Sequence, residues 1–519
     1  MRINRTKNAT RNIITGFVLK IYQLLAPFLI RTVMIYVLGL EYLGLNSLFT
    51  SILQVLNLAE LGVGAAMVFS MYKPIADDDT ITICALVKLY RLYYRIIGLI
   101  ILVVGCLITP FVPHLISGEV PAGMNVYILY LLNLAATVLS YWLFAYKNCL
   151  LTAHQRDDVI SKVTIAENTV MYVAQIMVLF FTKNYYWYVI ITLLSQALLN
   201  IMTAVEANKL FPQYRPCGNL EPDRVKEINQ RVKDLFTSKV GEIIVNSADS
   251  IIISAFLGLS ILAIYNSYYY ILNSVMGFVT IFFDACTAGI GNSIVTETEE
   301  KNYNDLLKFT FIISWVSGFC ACCLLCIYQP FMALWIGETN LLSIGCVVCF
   351  AAYFYIREMN QLLIVYKDAA GMWHEDRFRP LCTSLTNLVM NLIMVQFIGI
   401  YGVLLSTVLS SLIVGMPWVL HNLFTVVFKR PMNTFVKRLI QYMCCTLVVC
   451  ALTYLCCILV NFGNLANLII RTIICLIVPN FIFFIIYYRK AEFKQTMVLI
   501  DHILGEKIEI IHIVCTRFM

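Results

Sequence analysis

Long apolar stretches separated by short polar ones run along the whole chain. Fourteen can be marked, at about 12–38, 44–69, 89–112, 122–146, 159–181, 185–207, 236–258, 261–292, 307–333, 340–366, 380–399, 401–428, 438–460 and 464–488. Each is near the roughly 20 apolar residues a helix needs to cross a bilayer. They are apolar on nearly all sides and much longer than the strands of a membrane barrel, so the pattern predicts helices. The polar interruptions are short. The largest, 208–235, holds Pro212, Pro216, Pro222 and many charges, and its Glu221 to Lys233 stretch predicts a surface helix.

Composition agrees. Hydrophobic residues make up 60% and charged residues 13%, with mean hydropathy +0.81. An ordinary soluble domain carries about 25% charged residues. No signal peptide is expected, because the first apolar stretch is too long for a signal core and lacks a small-residue cleavage site. The chain is predicted to be an all-α integral membrane protein with about fourteen transmembrane helices.

The positive charges orient these helices. With the N-terminus inside, 32 of the 37 Lys and Arg residues fall on the cytoplasmic side. Lys183 alone lies in an outside loop, and Lys20, Arg31, Arg357 and Arg471 lie within spans. This is the positive-inside bias of membrane proteins, and it places both termini in the cytoplasm. It also accounts for the net charge of +7 without nucleic-acid binding. No outside loop exceeds about a dozen residues, which leaves no room for an external catalytic domain.

The chain contains its own first half twice. An offset of 220 carries Tyr146-Lys147-Asn148 and His154 onto Tyr366-Lys367-Asp368 and His374, Leu86-Val87-Lys88 onto Leu306-Leu307-Lys308, Gly98 onto Gly318, and Pro110-Phe111 onto Pro330-Phe331. An offset of 219 carries Lys20 onto Lys239 and Leu38-Gly39-Leu40 onto Leu257-Gly258-Leu259. Six spans per half is an even number, so the repeats are parallel. The predicted organisation is an N-lobe at 1–207, a cytoplasmic linker at 208–235, a C-lobe at 236–430, two further helices at 431–490 and a tail at 491–519.

Several phrases carry a family resemblance. Thr10-Arg11-Asn12 before the first span, Leu38-Gly39-Leu40-Glu41-Tyr42-Leu43-Gly44-Leu45, Leu61-Gly62-Val63-Gly64, and Leu150-Leu151-Thr152-Ala153-His154-Gln155-Arg156-Asp157 resemble bacterial polysaccharide flippases. These belong to the multidrug/oligosaccharidyl-lipid/polysaccharide (MOP) exporter superfamily, which includes the Wzx-type O-antigen flippases. The resemblance covers roughly 10–430, and the last two spans match its fourteen-helix members. It implies a V-shaped pair of bundles that moves a polyprenyl-diphosphate-linked saccharide from the cytoplasmic to the outer leaflet. It also implies a multi-pass protein of the bacterial cytoplasmic membrane, acting beside polysaccharide polymerases and glycosyltransferases.

Such a cargo needs a polar, cationic path through hydrocarbon. Ionisable residues within spans are costly against lipid and mark such paths. Lys20, Arg31, Lys239 and Arg357 are the candidate cavity cations for the diphosphate. Snorkelling to headgroups is the other reading of the two lysines, and an internal salt bridge, as between Arg357 and Glu358, that of the arginines. Pro27, between Lys20 and Arg31, is a candidate hinge. Glu60, Asp249 with its neighbour Asn246, and Asp284 are candidates for coupling transport to Na⁺ or H⁺. Glu167 falls closer to the inner surface.

Nineteen cysteines raise a metal question. Most lie in apolar spans, and Cys346 and Cys349 form a CxxC with no second pair and no nearby His. They are read as small hydrophobes, with no metal or other cofactor expected. His154 and His374 are read as parts of a structural corner, and Tyr93-Tyr94 and Tyr268-Tyr269-Tyr270 as interface belts or packing. No Walker A phrase is present. The flippase reading stands beside two others: a cation-coupled multidrug exporter of the same fold, and a membrane glycan polymerase or ligase.

Overall fold

The computed structural model describes residues 5–118, 120–460 and 462–503. Every element among them is helical. Ten helices are long and apolar enough to cross a membrane. The bent pair Val126–Trp142 and Ala145–Ala153, which turns by 42°, makes an eleventh when taken as one span. These account for eleven of the fourteen expected spans. The seventh, eighth and tenth fall on α9 (Pro222–Leu257), α10 (Leu259–Thr296) and α12 (Ile344–Ala369). The polar run Arg357-Glu358-Met359-Asn360-Gln361 makes α12 the less apolar helix.

Large apolar side chains cover the outside. Phe181 and Leu459 are each 85% exposed, which fits hydrocarbon and not water as the surrounding solvent.

The chain divides into two compact units, Met1–Asn266 and Ser267–Met519. The first holds α1 (Arg5–Val37), α2 (Leu40–Leu56), α3 (Val63–Ala76), α4 (Thr80–Ile108), α5 (Val126–Trp142), α6 (Asn148–Ala153), α7 (Asp157–Thr182), α8 (Tyr185–Leu210) and α9. The segment read as a surface helix at 221–233 continues unbroken into the seventh apolar stretch as α9, which packs on α2 and α3. The second unit holds most of α10, then α11 (Glu299–Ile336), α12, the short α13 (Trp373–Asp376), α14 (Arg379–Ile398), α15 (Ile400–Ser410), α16 (Met416–Val426), α17 (Asn433–Ile458), α18 (Asn464–Tyr487) and α19 (Ala491–Ile503).

The repeat is visible in the backbone. Gly39 and Gly258 break the chain between the first two helices of each half with φ of +112° and +90°. Gly118 and Gly337, also 219 apart, have φ of +88° and +89°. Only glycine adopts this region without strain. Tyr146 and Lys147 are buried, and so are Tyr366 and Lys367.

Polar groups tie α14 to α15. Asn387 donates to Thr407 at 3.1 Å, and Ser406 donates to Asn391. Gly402 lets the two helices touch, since a Cβ there would stand 2.4 Å from the Met394 carbonyl carbon. Gly402→Ala is therefore expected to cost about 1–3 kcal/mol, as overpacking does. A lower thermal midpoint of the purified protein would show it. Gly16→Ala, with nothing within 4 Å, serves as the control.

Candidate functional site

The first polar site forms where the second span breaks. After α2 the chain makes one 3-10 turn, Asn57–Glu60, and then passes through Gly62 with φ +83°. A Cβ on Gly62 would lie 2.6 Å from the Leu235 Cβ of α9, so close approach as well as φ requires glycine. The break presents Glu60 to α4 and α5. Tyr94 donates to Oε1 at 2.5 Å and Tyr141 to Oε2 at 2.8 Å. Tyr90, one turn before Tyr94, donates to the Tyr94 hydroxyl at 2.6 Å. Two hydroxyls thus bond the Glu60 carboxyl directly, and a third reaches it through Tyr94.

Glu60 was expected within a continuous helix and instead sits at a discontinuity. The role of Tyr94 also differs from an interface belt. It is a buried donor, while Tyr93 reaches Asn229 of α9 at 2.6 Å. The spacing of Tyr90 and Tyr94 on one helix face is the sequence signal that points to such a pair.

The other candidates of this unit are dispersed. Lys20 is exposed on α1. Arg31 is half-buried and donates to the Asn266 carbonyl at 3.5 Å, and its charge acts on the buried Tyr188. Pro27 lies inside the single helix α1. Having no N–H, it leaves the Gln23 carbonyl without its helical donor. Asp249 is buried and accepts from Tyr265 at 3.2 Å. The side chains of Lys239, Asn246 and Asp284 lie outside the described residues. Glu167 proves to be in the third turn of α7 and only 2% exposed, with Oε2 lacking a partner.

In the second unit, Arg357 donates to the Tyr353 hydroxyl one turn earlier at 2.8 Å. Among the described residues it forms no ion pair with Glu358, its neighbour on α12. Glu358 is instead buried with Oε2 unpartnered, a feature that adjacency in sequence hid. Beside this run lies an apolar cavity of about 350 Å³, lined in part by Ile356, Met359, Met416, Leu420, Val436 and Met443.

The two corners are built alike but not identically. In the first, the buried Asp158 meets Arg11 at 2.8 Å, Arg156 at 3.0 Å and Lys162 at 3.7 Å. In the second, Asp376 takes a forked contact from Arg379 and meets Lys367 at 3.4 Å. His154 is buried against Phe211 and Tyr214, whereas His374 is exposed. That burial pushes the His154 pKa below its usual value, against the opposing contact of Nδ1 with the Leu150 carbonyl at 2.8 Å. The unfolded chain then binds the proton more readily. The stability from this neutral ring is full above about pH 6.5 and is lost as pH falls toward the lower folded value. The thermal midpoint should therefore drop between pH 7 and 5, and His154→Phe should flatten that slope.

Three comparisons with known proteins bear on this arrangement. The family model described as "Polysaccharide biosynthesis protein" matches residues 9–286, more than half of the chain. A solved structure described as lipid II flippase MurJ in an inward closed conformation aligns over 92% of this chain and 98% of its own, at 15% identity and TM-score 0.62. An inward-facing multidrug resistance MATE family transporter of the MOP superfamily aligns over 80% of this chain and 98% of its own, at 14% identity and TM-score 0.61. Comparison with curated proteins finds no match. At these identities the structures speak for the fold. With a family match over residues 9–286, more than half of its length, and a fold shared along most of the chain with the MurJ and MATE structures, this protein belongs to the family described as polysaccharide biosynthesis protein.

Proposed function

We propose that the protein is a flippase for polyprenyl-diphosphate-linked saccharides. It carries their polar heads from the inner to the outer leaflet of the bacterial cytoplasmic membrane by exposing its cargo site alternately to each side. The observation that carries this reading is the pair of span arginines: Arg31, half-buried on α1, and Arg357, hydrogen-bonded to the Tyr353 hydroxyl. A guanidinium holds a diphosphate through paired hydrogen bonds, and tyrosine offers sugars both a ring face and a hydroxyl. Both termini face the cytoplasm, where glycosyltransferases would supply the cargo, and a polymerase would consume it outside.

Deleting the gene tests the proposal. Sugar-loaded polyprenyl diphosphate should accumulate on the cytoplasmic leaflet. Normal flipping with altered polymer length would favour a polymerase instead. The second reading, a cation-coupled drug exporter, draws on the carboxylate networks. Resistance to amphiphilic drugs that is lost on deletion, without lipid accumulation, would favour it.

Asp249 and Glu60 serve as the coupling carboxylates for Na⁺ or H⁺ in either reading. Asp249→Asn is expected to leave transport rates insensitive to the cation gradient in proteoliposomes. A rate that still tracks the gradient would remove Asp249 from this role.

A further inference from the structure

Packing alone does not account for one group of cysteines. Cys326 of α11, Cys457 in the last turn of α17 and Cys475 of α18 come from three helices, yet their Sγ atoms all lie within 4.8 Å of one another. All three are buried, at 0–1% exposure. Cys323, Leu325, Ile327, Tyr454 and Ile474 pack around them. A cation stands next to this group. Arg471, one helical turn before Cys475, donates from Nη2 to the Val460 carbonyl at 3.3 Å, while its buried Nε has no partner. A single buried cysteine serves as a small hydrophobe. Filling space requires neither three sulfurs meeting at one point nor a guanidinium with an unused N–H beside them.

We propose that Cys326, Cys457 and Cys475 form a three-sulfur binding site for a soft monovalent metal ion, of which Cu(I) is the representative. Soft sulfur donors select Cu(I), whereas Ca²⁺ and Mg²⁺ take oxygen. Zinc sites call for four ligands, or three and an open water position. Cys323 packs against the cluster, but among the described residues no fourth Cys, His, Asp or Glu offers a ligand atom within 4.8 Å of all three sulfurs, and the three cysteines are fully buried. Metal–sulfur bonds of about 2.3 Å in a trigonal plane set the sulfurs about 4 Å apart, a spacing this group reaches with small rotations.

Charge sets the protonation. An uncompensated charge is expensive at this depth. Cu(I) and Arg471 together contribute two positive charges, which two thiolates balance while the third sulfur stays a thiol. Binding one Cu(I) therefore releases two protons to solvent, forms metal–sulfur bonds in place of two S–H bonds, and moves no electrons.

The test uses the full-length protein purified anaerobically and titrated with Cu(I) delivered as its bicinchoninate complex. The wild type should withdraw Cu(I) from the chelator and release two protons per ion. Cys326→Ser should weaken this binding by more than about 100-fold, since even an outer-shell partner is worth roughly 10–100-fold. Cys475→Ala, which buries no hydroxyl, should show the same loss while remaining monodisperse, and Cys444→Ser, at an exposed position, should bind as wild type. Three results would overturn the proposal: a wild type unable to compete for Cu(I), cluster variants that bind as well as wild type, or Zn²⁺ held in preference to Cu(I).

Discussion

Arg357→Ala is expected to reduce cargo movement by at least about 100-fold, with normal insertion and a normal thermal midpoint. A guanidinium gripping a diphosphate makes at least two charge-assisted hydrogen bonds, each contributing about 1.5–3 kcal/mol. Losing both corresponds to roughly two to four powers of ten in affinity or rate. Stability should change little, because Arg357 makes one hydrogen bond, to Tyr353 at 2.8 Å, and holds no ion pair among the described residues. Arg357→Lys keeps the charge but not the fork and should recover only part of the activity. Tyr353→Phe leaves the guanidinium in place without its anchor and should have an intermediate effect. Lipid-linked saccharide translocation in proteoliposomes measures all three. Full activity of Arg357→Ala would remove this residue from the cargo path.

Glu60→Gln should abolish the dependence of transport on pH and Na⁺, and most of the transport itself. Both carboxylate oxygens of Glu60 accept a tyrosine hydroxyl, from Tyr94 at 2.5 Å and Tyr141 at 2.8 Å. Glutamine preserves the size and can still bond both hydroxyls, because a hydroxyl also accepts. The variant therefore removes charge and protonation without emptying the site. Tyr94→Phe deletes one donor and disconnects Tyr90 from the carboxylate, so it should shift the pH profile without flattening it. Fluxes measured from pH 5.5 to 8, with and without a Na⁺ gradient, separate these outcomes. A Glu60→Gln profile that overlays the wild type would rule out this carboxylate as the coupling group.

The order of helices was legible because burial in a bilayer is a composition effect that acts on each segment separately. Gly39 and Gly258 were legible as matching positions in similar phrases, and both have positive φ, +112° and +90°. Glu60 was legible as an unusual charge in an apolar run. Its environment was not, since Tyr94 and Tyr141 lie 34 and 81 residues further on. Arg357 and Glu358 show the converse. Adjacent in sequence, they invited pairing, but consecutive helical residues point about 100° apart. One turns to Tyr353, while the other is buried without a partner for Oε2.

By itself the sequence determined the solvent of this protein, its all-helical class and its family. These follow from composition, period and short phrases, which need no knowledge of which helix neighbours which. The tertiary structure decided which polar groups meet. It broke the second span to hand Glu60 to Tyr94 and Tyr141, with Tyr90 behind Tyr94, and it tied α14 to α15 through buried amides. It also drew Cys326, Cys457 and Cys475 together from three helices, although none of the three belongs to the CxxC phrase. Such meetings depend on how helices far apart in sequence rotate and pack. Side-chain contact is set by that packing, so no local pattern of residues encodes it.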